Sequence, residues 1–278
     1  MSNVATDKSN EAFKALRKQD ELPACFSKLQ DFETIDKVIK ESSIRQKALY
    51  KAGNEGDKEI YNLAVKLNSC VEESPCESAA CPVCFRSHRI NVISELVKIC
   101  NKRKEWRIVT LIYYFEQMDD KNVMSFDLSQ LKDLLRKQLK RAGFKELVIG
   151  SFEMDYHTES NCWMPHLHLL VKHDEAAEEK LRKAMNSKKN MQSRNGVINR
   201  PILIQGLNNK VKQISYLYKS MWSRIEVFST GTRERNTKKY RLEQEQLILS
   251  LKKLDDIGFS GLEFLYCARR YDSRLQFK

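Results

Sequence analysis

A chain of 278 residues, 41% of them hydrophobic, can bury one large core, or a core and a smaller appendage, and its composition excludes a disordered tail, a collagen-like fibre and a repeat array. Lys and Arg outnumber Asp and Glu by 49 to 37, a net charge of +12 with a pI near 9.2. The excess is interspersed with acids, in Lys102-Arg103-Lys104, Lys137 to Arg141, Lys188-Lys189, Arg233 to Arg241 and Arg269-Arg270. Such a pattern suits a folded surface that tracks a phosphate backbone. Met1 to Lys18 is polar, and the longest apolar run, Ile108 to Phe115, is too short to span a bilayer, so neither export nor membrane insertion is expected and the setting is cytoplasmic. Eight cysteines in that setting point to metal ligation or buried thiols rather than a disulfide scaffold.

Residues 1 to about 65 predict a charged helical N-terminal extension, with scattered apolar positions at Phe13, Leu16, Phe26, Leu29 and Phe32 and a turn from Gly53 to Gly56. A cysteine-rich segment over 66–102 follows, ending in a helix from about Ser87 to Lys102 with Ile90, Ile93, Leu96 and Val97 on one face. The next stretch, 103–228, alternates. Arg107 to Phe115 is β-branched and aromatic, a strand. Ser125 to Ala142 carries leucines at helical spacing, and Gly143 stops it. Glu146 to Tyr156 and Trp163 to Lys172 predict an antiparallel pair. Asp174 to Asn186 is an amphipathic helix, Pro201 to Leu207 a short strand, and Asn209 to Arg224 a helix. The order β-α-β-β-α-β-α predicts an α+β fold, with an antiparallel or mixed sheet, helices on one face and the other face free for a site. Residues 229–278 form a charged C-terminal extension with an apolar end, Leu262 to Ala268.

Pro165-His166-Leu167-His168-Leu169-Leu170-Val171 is the sharpest chemical signal. Side chains alternate along a strand, so His166 and His168 share one face while Leu167, Leu169 and Val171 hold the register from the other. Two neutral imidazoles can donate two lone pairs to a divalent ion. The preceding strand places Ser151, Glu153 and Asp155 on one polar face. Glu153 is the expected third ligand, with Asp155 and Glu159 as rivals, and open positions on Mg²⁺ or Mn²⁺ would then polarise a phosphate.

Between Ile214 and Trp222 lie two tyrosines. On a helix, Ile214, Leu217, Tyr218, Met221 and Ile225 form one apolar stripe, while Lys212, Tyr216, Lys219 and Ser223 occupy the other side. Tyr218 is therefore expected to pack. Tyr216 is a phenol beside ammonium groups, which favour its ionised form as a nucleophile. The spacing Cys70-x5-Cys76-x4-Cys81-x2-Cys84 predicts a structural Zn²⁺ site, because a Cys-Pro-x-Cys knuckle aims both thiolates at one ion. His88 could stand in for Cys70. Cys25, Cys100, Cys162 and Cys267 lack such spacing.

Together these pieces resemble the HUH endonucleases, with His166-Leu167-His168 as the histidine motif and Tyr216-Leu217-Tyr218-Lys219 as its Tyr-x-x-Lys. The histidine strand precedes the tyrosine helix, as in rolling-circle replication initiators and unlike conjugative relaxases. The chain looks most like the small-plasmid replication proteins with an upstream cysteine motif, over roughly residues 70 to 225. It departs from them in the first strand, where Ile112-Tyr113-Tyr114 replaces small polar residues. The resemblance implies an RRM-like HUH core and a metal-dependent single-strand endonuclease and strand transferase. In it Glu153, His166 and His168 hold Mg²⁺ or Mn²⁺, Tyr216 attacks to give a 5′-phosphotyrosyl bond and a free 3′-OH, and Lys219 steadies the phenolate or phosphate. The implied partners are single-stranded or hairpin origin DNA, a host helicase and a DNA polymerase, in a bacterial cytoplasm with a plasmid or other mobile element as carrier. A transposase or mobilisation nuclease shares this chemistry. A non-catalytic, zinc-stabilised single-strand DNA-binding regulator would need the basic surface alone.

Overall fold

The computed structural model describes residues 34–71, 73–192, 199–219, 221–229, 235–271 and 274–277. Phe13, Leu16, Phe26, Leu29, Phe32 and Cys25 lie outside them. The chain divides into two compact units, 1–98 with 244–259, and 99–243 with 260–278. The stretch 229–278 is thus shared between the two units rather than forming one appendage.

In the first unit, α1 (Ile35–Asn54) and α2 (Lys58–Asn68) form a helical pair. Thr34 and Asp57 cap their first turns by accepting backbone N–H bonds, each such cap contributing about 1 kcal/mol. Gly53 lets the two helices meet, since a Cβ there would lie 2.7 Å from the Tyr61 backbone. Buried Arg45 binds Glu41 at 2.9 Å and donates to the Ala80 carbonyl at 2.7 Å, which anchors the cysteine segment to α1. α3 (Pro82–Ile99) begins at the Cys-Pro-x-Cys knuckle itself rather than at Ser87, because Pro is favoured in a first turn where its missing N–H costs nothing. α8 (Gln244–Leu262) adds a further helix, broken at Gly258 by a positive φ of 63°, and Lys66 pairs with its Asp255 at 2.6 Å.

The second unit is α+β. Its strands β1 (Trp106–Ile112), β2 (Val148–His157), β3 (Cys162–Lys172), β4 (Ile202–Gly206), β5 (Arg224–Ser229) and β6 (Arg235–Tyr240) form a mostly antiparallel sheet in the order β4-β1-β3-β2-β5-β6. β7 (Glu263–Tyr266) pairs with the first half of β2, so the apolar run whose role the sequence hides completes the sheet. β8 (Ala268–Tyr271) and β9 (Arg274–Phe277) make a separate hairpin. The helices α4 (Leu128–Ala142), α5 (Glu175–Met185), the single-turn α6 (Lys188–Met191) and α7 (Lys210–Leu217) intervene. Gly143 ends α4 at φ 100°, the left-handed cap that glycine adopts at least cost. From α4, Leu131, Leu135 and Leu139, and from α5, Leu181 and Met185, are buried in the core of this unit, to which the sheet contributes Leu167, Leu169 and Val171. Among the described residues no helix is long and apolar enough to cross a membrane.

Two further expectations need correction. The helix predicted for Asn209 to Arg224 stops at Leu217: Tyr218 leaves helical geometry at φ −118°, ψ 66°, and Arg224 opens a strand instead. Ile225 therefore belongs to β5, not to a helical stripe. Nor is the second face of the sheet open. Every residue from Val148 to Tyr156 and from Trp163 to Val171 is buried, because α7 and the β5–β6 hairpin cover the polar face.

Candidate functional site

Strand register assembles the polar face. Antiparallel pairing sets Thr110 of β1, His168 of β3 and Ser151 of β2 in one row, and Ile112, His166 and Glu153 in the next. The rows pack tightly: a Cβ on Gly150 would meet the His168 carbonyl oxygen at 1.9 Å, so only glycine fits there. The metal-ligating atoms of Glu153, His166 and His168 lie within 4.8 Å of one another, and all three residues are buried. They could hold a metal ion.

Hydrogen bonds orient each group. His168 Nε2 lies 2.9 Å from Glu153 Oε2 and its Nδ1 lies 2.9 Å from Thr110 Oγ1. His166 Nδ1 donates to the Met164 carbonyl at 3.0 Å, which leaves Nε2 as the lone-pair nitrogen, 3.4 Å from Glu153 Oε2. A backbone carbonyl or hydroxyl on the far ring nitrogen is the usual support of a metal-binding histidine. Thr110 is a site residue that the sequence reading missed, since only the β1–β3 register brings it to His168.

Charge is concentrated around Glu153. Burial alone would raise its pKa, but the two imidazoles and the Lys219 ammonium hold it well below the usual carboxylate range. Lys219 Nζ sits 2.9 and 2.7 Å from the two carboxylate oxygens. Burial pushes His168 down to about 4, against the pull of Glu153, so this imidazole is neutral at pH 7. The two shifts agree physically: one buried anion, already matched by an ammonium, does not require a protonated ring as well.

Asp155, the first rival ligand, is engaged elsewhere. Its Oδ1 accepts from the Ser223 N–H at 2.7 Å and its Oδ2 from Lys239 at 2.6 Å, while His166 Nε2 is 4.0 Å away. Burial and the neighbouring Glu153 raise its pKa. Glu159 is exposed in the β2–β3 turn and is not part of the cluster. Lys239 was also missed. Nothing in its local sequence marks it, and it arrives only because β6 pairs with β5 and β5 with β2.

Tyr216 and Tyr218 part ways as expected, though for a different reason. The Tyr216 ring is 47% exposed, with its centroid 5.2 Å from that of His168 and Lys219 Nζ 3.8 Å above it. Tyr218 is 1% exposed and donates its hydroxyl to Glu263 Oε1 at 3.2 Å, a carboxylate gripped twice by Arg270 at 2.6 and 2.7 Å. The break after Leu217, not a continuous helical stripe, turns Tyr218 inward. Ile214 and Leu217 anchor the short helix beneath Tyr216.

The four cysteines Cys70, Cys76, Cys81 and Cys84 gather separately in the first unit. Their sulfurs approach at 3.5 Å (Cys70–Cys84), 3.7 Å (Cys76–Cys84) and 3.7 Å (Cys70–Cys81), far beyond a disulfide bond of about 2.05 Å. They too could hold a metal ion. Neighbouring thiols donating to Cys70 hold its pKa far below the usual thiol range, while Cys81 is pushed up, so thiolate character collects within the cluster. Cys70 completes it, and His88 stacks instead on Phe259 with ring centroids 4.5 Å apart. Comparison of the chain with protein-family models, with curated proteins and with solved structures finds no match.

Proposed function

We propose that this protein is a metal-dependent, single-strand DNA endonuclease and strand transferase of the HUH type, acting through Tyr216 to initiate rolling-circle replication. One observation above all supports it: an exposed phenol, an ammonium and a buried Glu-His-His set converge from different elements, with the Tyr216 and His168 rings 5.2 Å apart. A regulator that only bound DNA would have no use for this convergence. The element order β1-α4-β2-β3-α5-β4-α7, with α6 inserted before β4, and the central strand order β4-β1-β3-β2 are consistent with an HUH core.

Glu153, His166 and His168 would hold Mg²⁺ or Mn²⁺, which supplies Lewis-acid polarisation of a phosphodiester. The Tyr216 oxygen attacks phosphorus, the bond from phosphorus to the 3′-oxygen breaks, and that oxygen takes up a proton to become a 3′-OH. The phosphotyrosyl ester keeps the energy of the broken diester, so the strand can be rejoined without ATP. Lys219, beside both Glu153 and the Tyr216 ring, neutralises negative charge as the phenol loses its proton. The protein's basic excess favours the polyanion.

The four-cysteine cluster fits structural Zn²⁺. A tetrahedral site with Zn–S bonds of about 2.3 Å has sulfur–sulfur edges of about 3.8 Å, close to the 3.5–3.7 Å separations.

The test is to incubate the protein with randomised single-stranded oligonucleotides and Mn²⁺ and look for a covalent adduct on a denaturing gel. Wild type forms the adduct, EDTA prevents it, and Tyr216→Phe eliminates it while keeping single-strand affinity. Mass spectrometry places the nucleotide on Tyr216. An adduct on Tyr218, or a Tyr216→Phe protein that still forms one, overturns the assignment.

A further inference from the structure

Lys239 stands out as a charge that the proposed reaction does not yet use. It lies on β6, opposite Ile225 of β5, and β5 joins β2 in parallel at Tyr156 and His157. Tyr156 N–H donates to the Ser223 carbonyl at 2.9 Å and Thr158 N–H to the Ile225 carbonyl at 3.1 Å. The base of the hairpin is therefore held to the strand that carries Glu153 and Asp155. Ile225 is buried on the inner face, and Lys239, its neighbour there, reaches Asp155 Oδ2 at 2.6 Å and Glu153 Oε1 at 3.6 Å.

The Lys239 ammonium is paired to a buried acid yet keeps a solvent-facing side, as a long cationic side chain favours. Asp155 is 4% exposed, but the Lys239 side chain is 43% exposed, and an ammonium has three donors. One is spent on Asp155, which already accepts from the Ser223 N–H. Lys239 and Lys219 approach the same Glu153 oxygen at 3.6 and 2.9 Å, and Lys219 Nζ lies 3.8 Å above the Tyr216 ring, so both ammonium groups flank the carboxylate next to the phenol.

Charge balance shows what the second ammonium is for. Glu153 and Asp155 cancel Lys219 and Lys239. A divalent ion bound at Glu153, His166 and His168 would leave two positive charges in excess, which one phosphodiester and one ionised phenol match. Without Lys239 the same assembly, scissile phosphodiester and ionised phenol included, is left with one net negative charge, at a site where low dielectric makes that costly.

We propose that Lys239 is a substrate-binding cation, which holds a backbone phosphate of single-stranded DNA beside Tyr216 and makes the β5–β6 hairpin one wall of the strand's path. This rests on the nuclease reading above. Truncating Lys239 alone would strand a buried carboxylate, so the informative variant is Asp155→Asn with Lys239→Met, which removes both charges together; Lys239→Arg and Asp155→Asn serve as partners to it.

The full chain in EDTA is titrated with fluorescent oligothymidylate over a range of KCl, following anisotropy. Each phosphate contact to a single strand contributes about 0.7 to the slope of log affinity against log salt. The double variant is expected to lose about that much slope and bind several-fold more weakly, while Lys239→Arg and Asp155→Asn keep the wild-type slope. With Mn²⁺ and randomised oligonucleotides, the double variant should form adduct at least about tenfold more slowly, a barrier change of about 1.4 kcal/mol. If its slope and affinity match wild type while wild type forms adduct normally, Lys239 is a structural counter-ion and the inference fails alone. If wild type forms no adduct at all, the nuclease reading fails and the role of Lys239 with it.

Discussion

Two sets of side chains in this protein gather around a point, and they are assembled in opposite ways. Cys70, Cys76, Cys81 and Cys84 come from a single stretch of fifteen residues, held by one turn, the start of α3 and the Arg45 bond to the Ala80 carbonyl. Glu153, His166 and His168 come from two strands, are steadied by Thr110 on a third, and are overlain by Lys219 and Lys239 from segments far along the chain. The cysteines lie on a loop and one helix turn, with no strand pairing to fix their positions. The histidines lie on a sheet whose opposite face is a packed apolar core. A bound ion should therefore contribute to folding at the first site and to chemistry at the second.

The largest effect that would break this contrast is at the cysteines. Zinc–thiolate binding free energies are on the order of 10 kcal/mol, comparable to the whole stability of a domain, roughly 5–15 kcal/mol. Cys81→Ser or Cys84→Ser is expected to lower the thermal midpoint sharply or to leave the protein insoluble. Elemental analysis should find about one equivalent of zinc, retained after mild chelation has stripped the Glu-His-His ion. A Cys81→Ser, Cys84→Ser double variant as stable as wild type, with zinc in neither protein, would remove the structural role.

A smaller effect separates ligand from support at the second site. His168→Ala removes a ligand and is expected to abolish metal-dependent nicking while the circular dichroism spectrum stays native, since the Leu167 and Leu169 side of the strand is untouched. Thr110→Val keeps the volume but frees His168 Nδ1, and metal affinity should fall by about 10- to 100-fold. Mn²⁺ titration followed by electron paramagnetic resonance measures both. Equal, undiminished affinity in Thr110→Val would show that the sheet alone orients the imidazole.

The smallest effect concerns the buried tyrosine. Tyr218→Phe loses one hydrogen bond to Glu263, whose carboxylate Arg270 still holds. The expected cost is about 1 kcal/mol in chemical denaturation, with adduct formation preserved. A complete loss of adduct would make Tyr218 part of the chemistry despite its burial.

Much of the second unit is legible in the sequence. Alternation along Pro165 to Val171 identified the histidine face, because a strand has a side-chain period of two and a register slip would have turned both rings into the apolar core. Leucine spacing and Gly143 delimited α4, and the polar face of Ser151, Glu153 and Asp155 was readable in the same way. The end of α7 was not. Ile214, Leu217, Tyr218, Met221 and Ile225 fit helical spacing, but a 3.6-residue period cannot tell a helix from a turn into a buried strand when the next partner, β2, lies about seventy residues earlier in sequence.

By itself, then, the sequence determined what depends on neighbours a few residues apart: the cysteine spacing, the side of β3 that carries imidazoles, the choice of Glu153 over residues on the other face, and the pairing of Tyr216 with Lys219. Tertiary structure alone decided what depends on pairing between distant strands. It covered the polar face that looked open, engaged Asp155 with Lys239 and the Ser223 N–H, brought Thr110 to His168, and closed the sheet with Leu265 and Phe264 of β7 against β2. Local periodicity encodes which face a residue occupies, whereas the identity of what lies against that face is set by burial and backbone pairing summed over the whole domain.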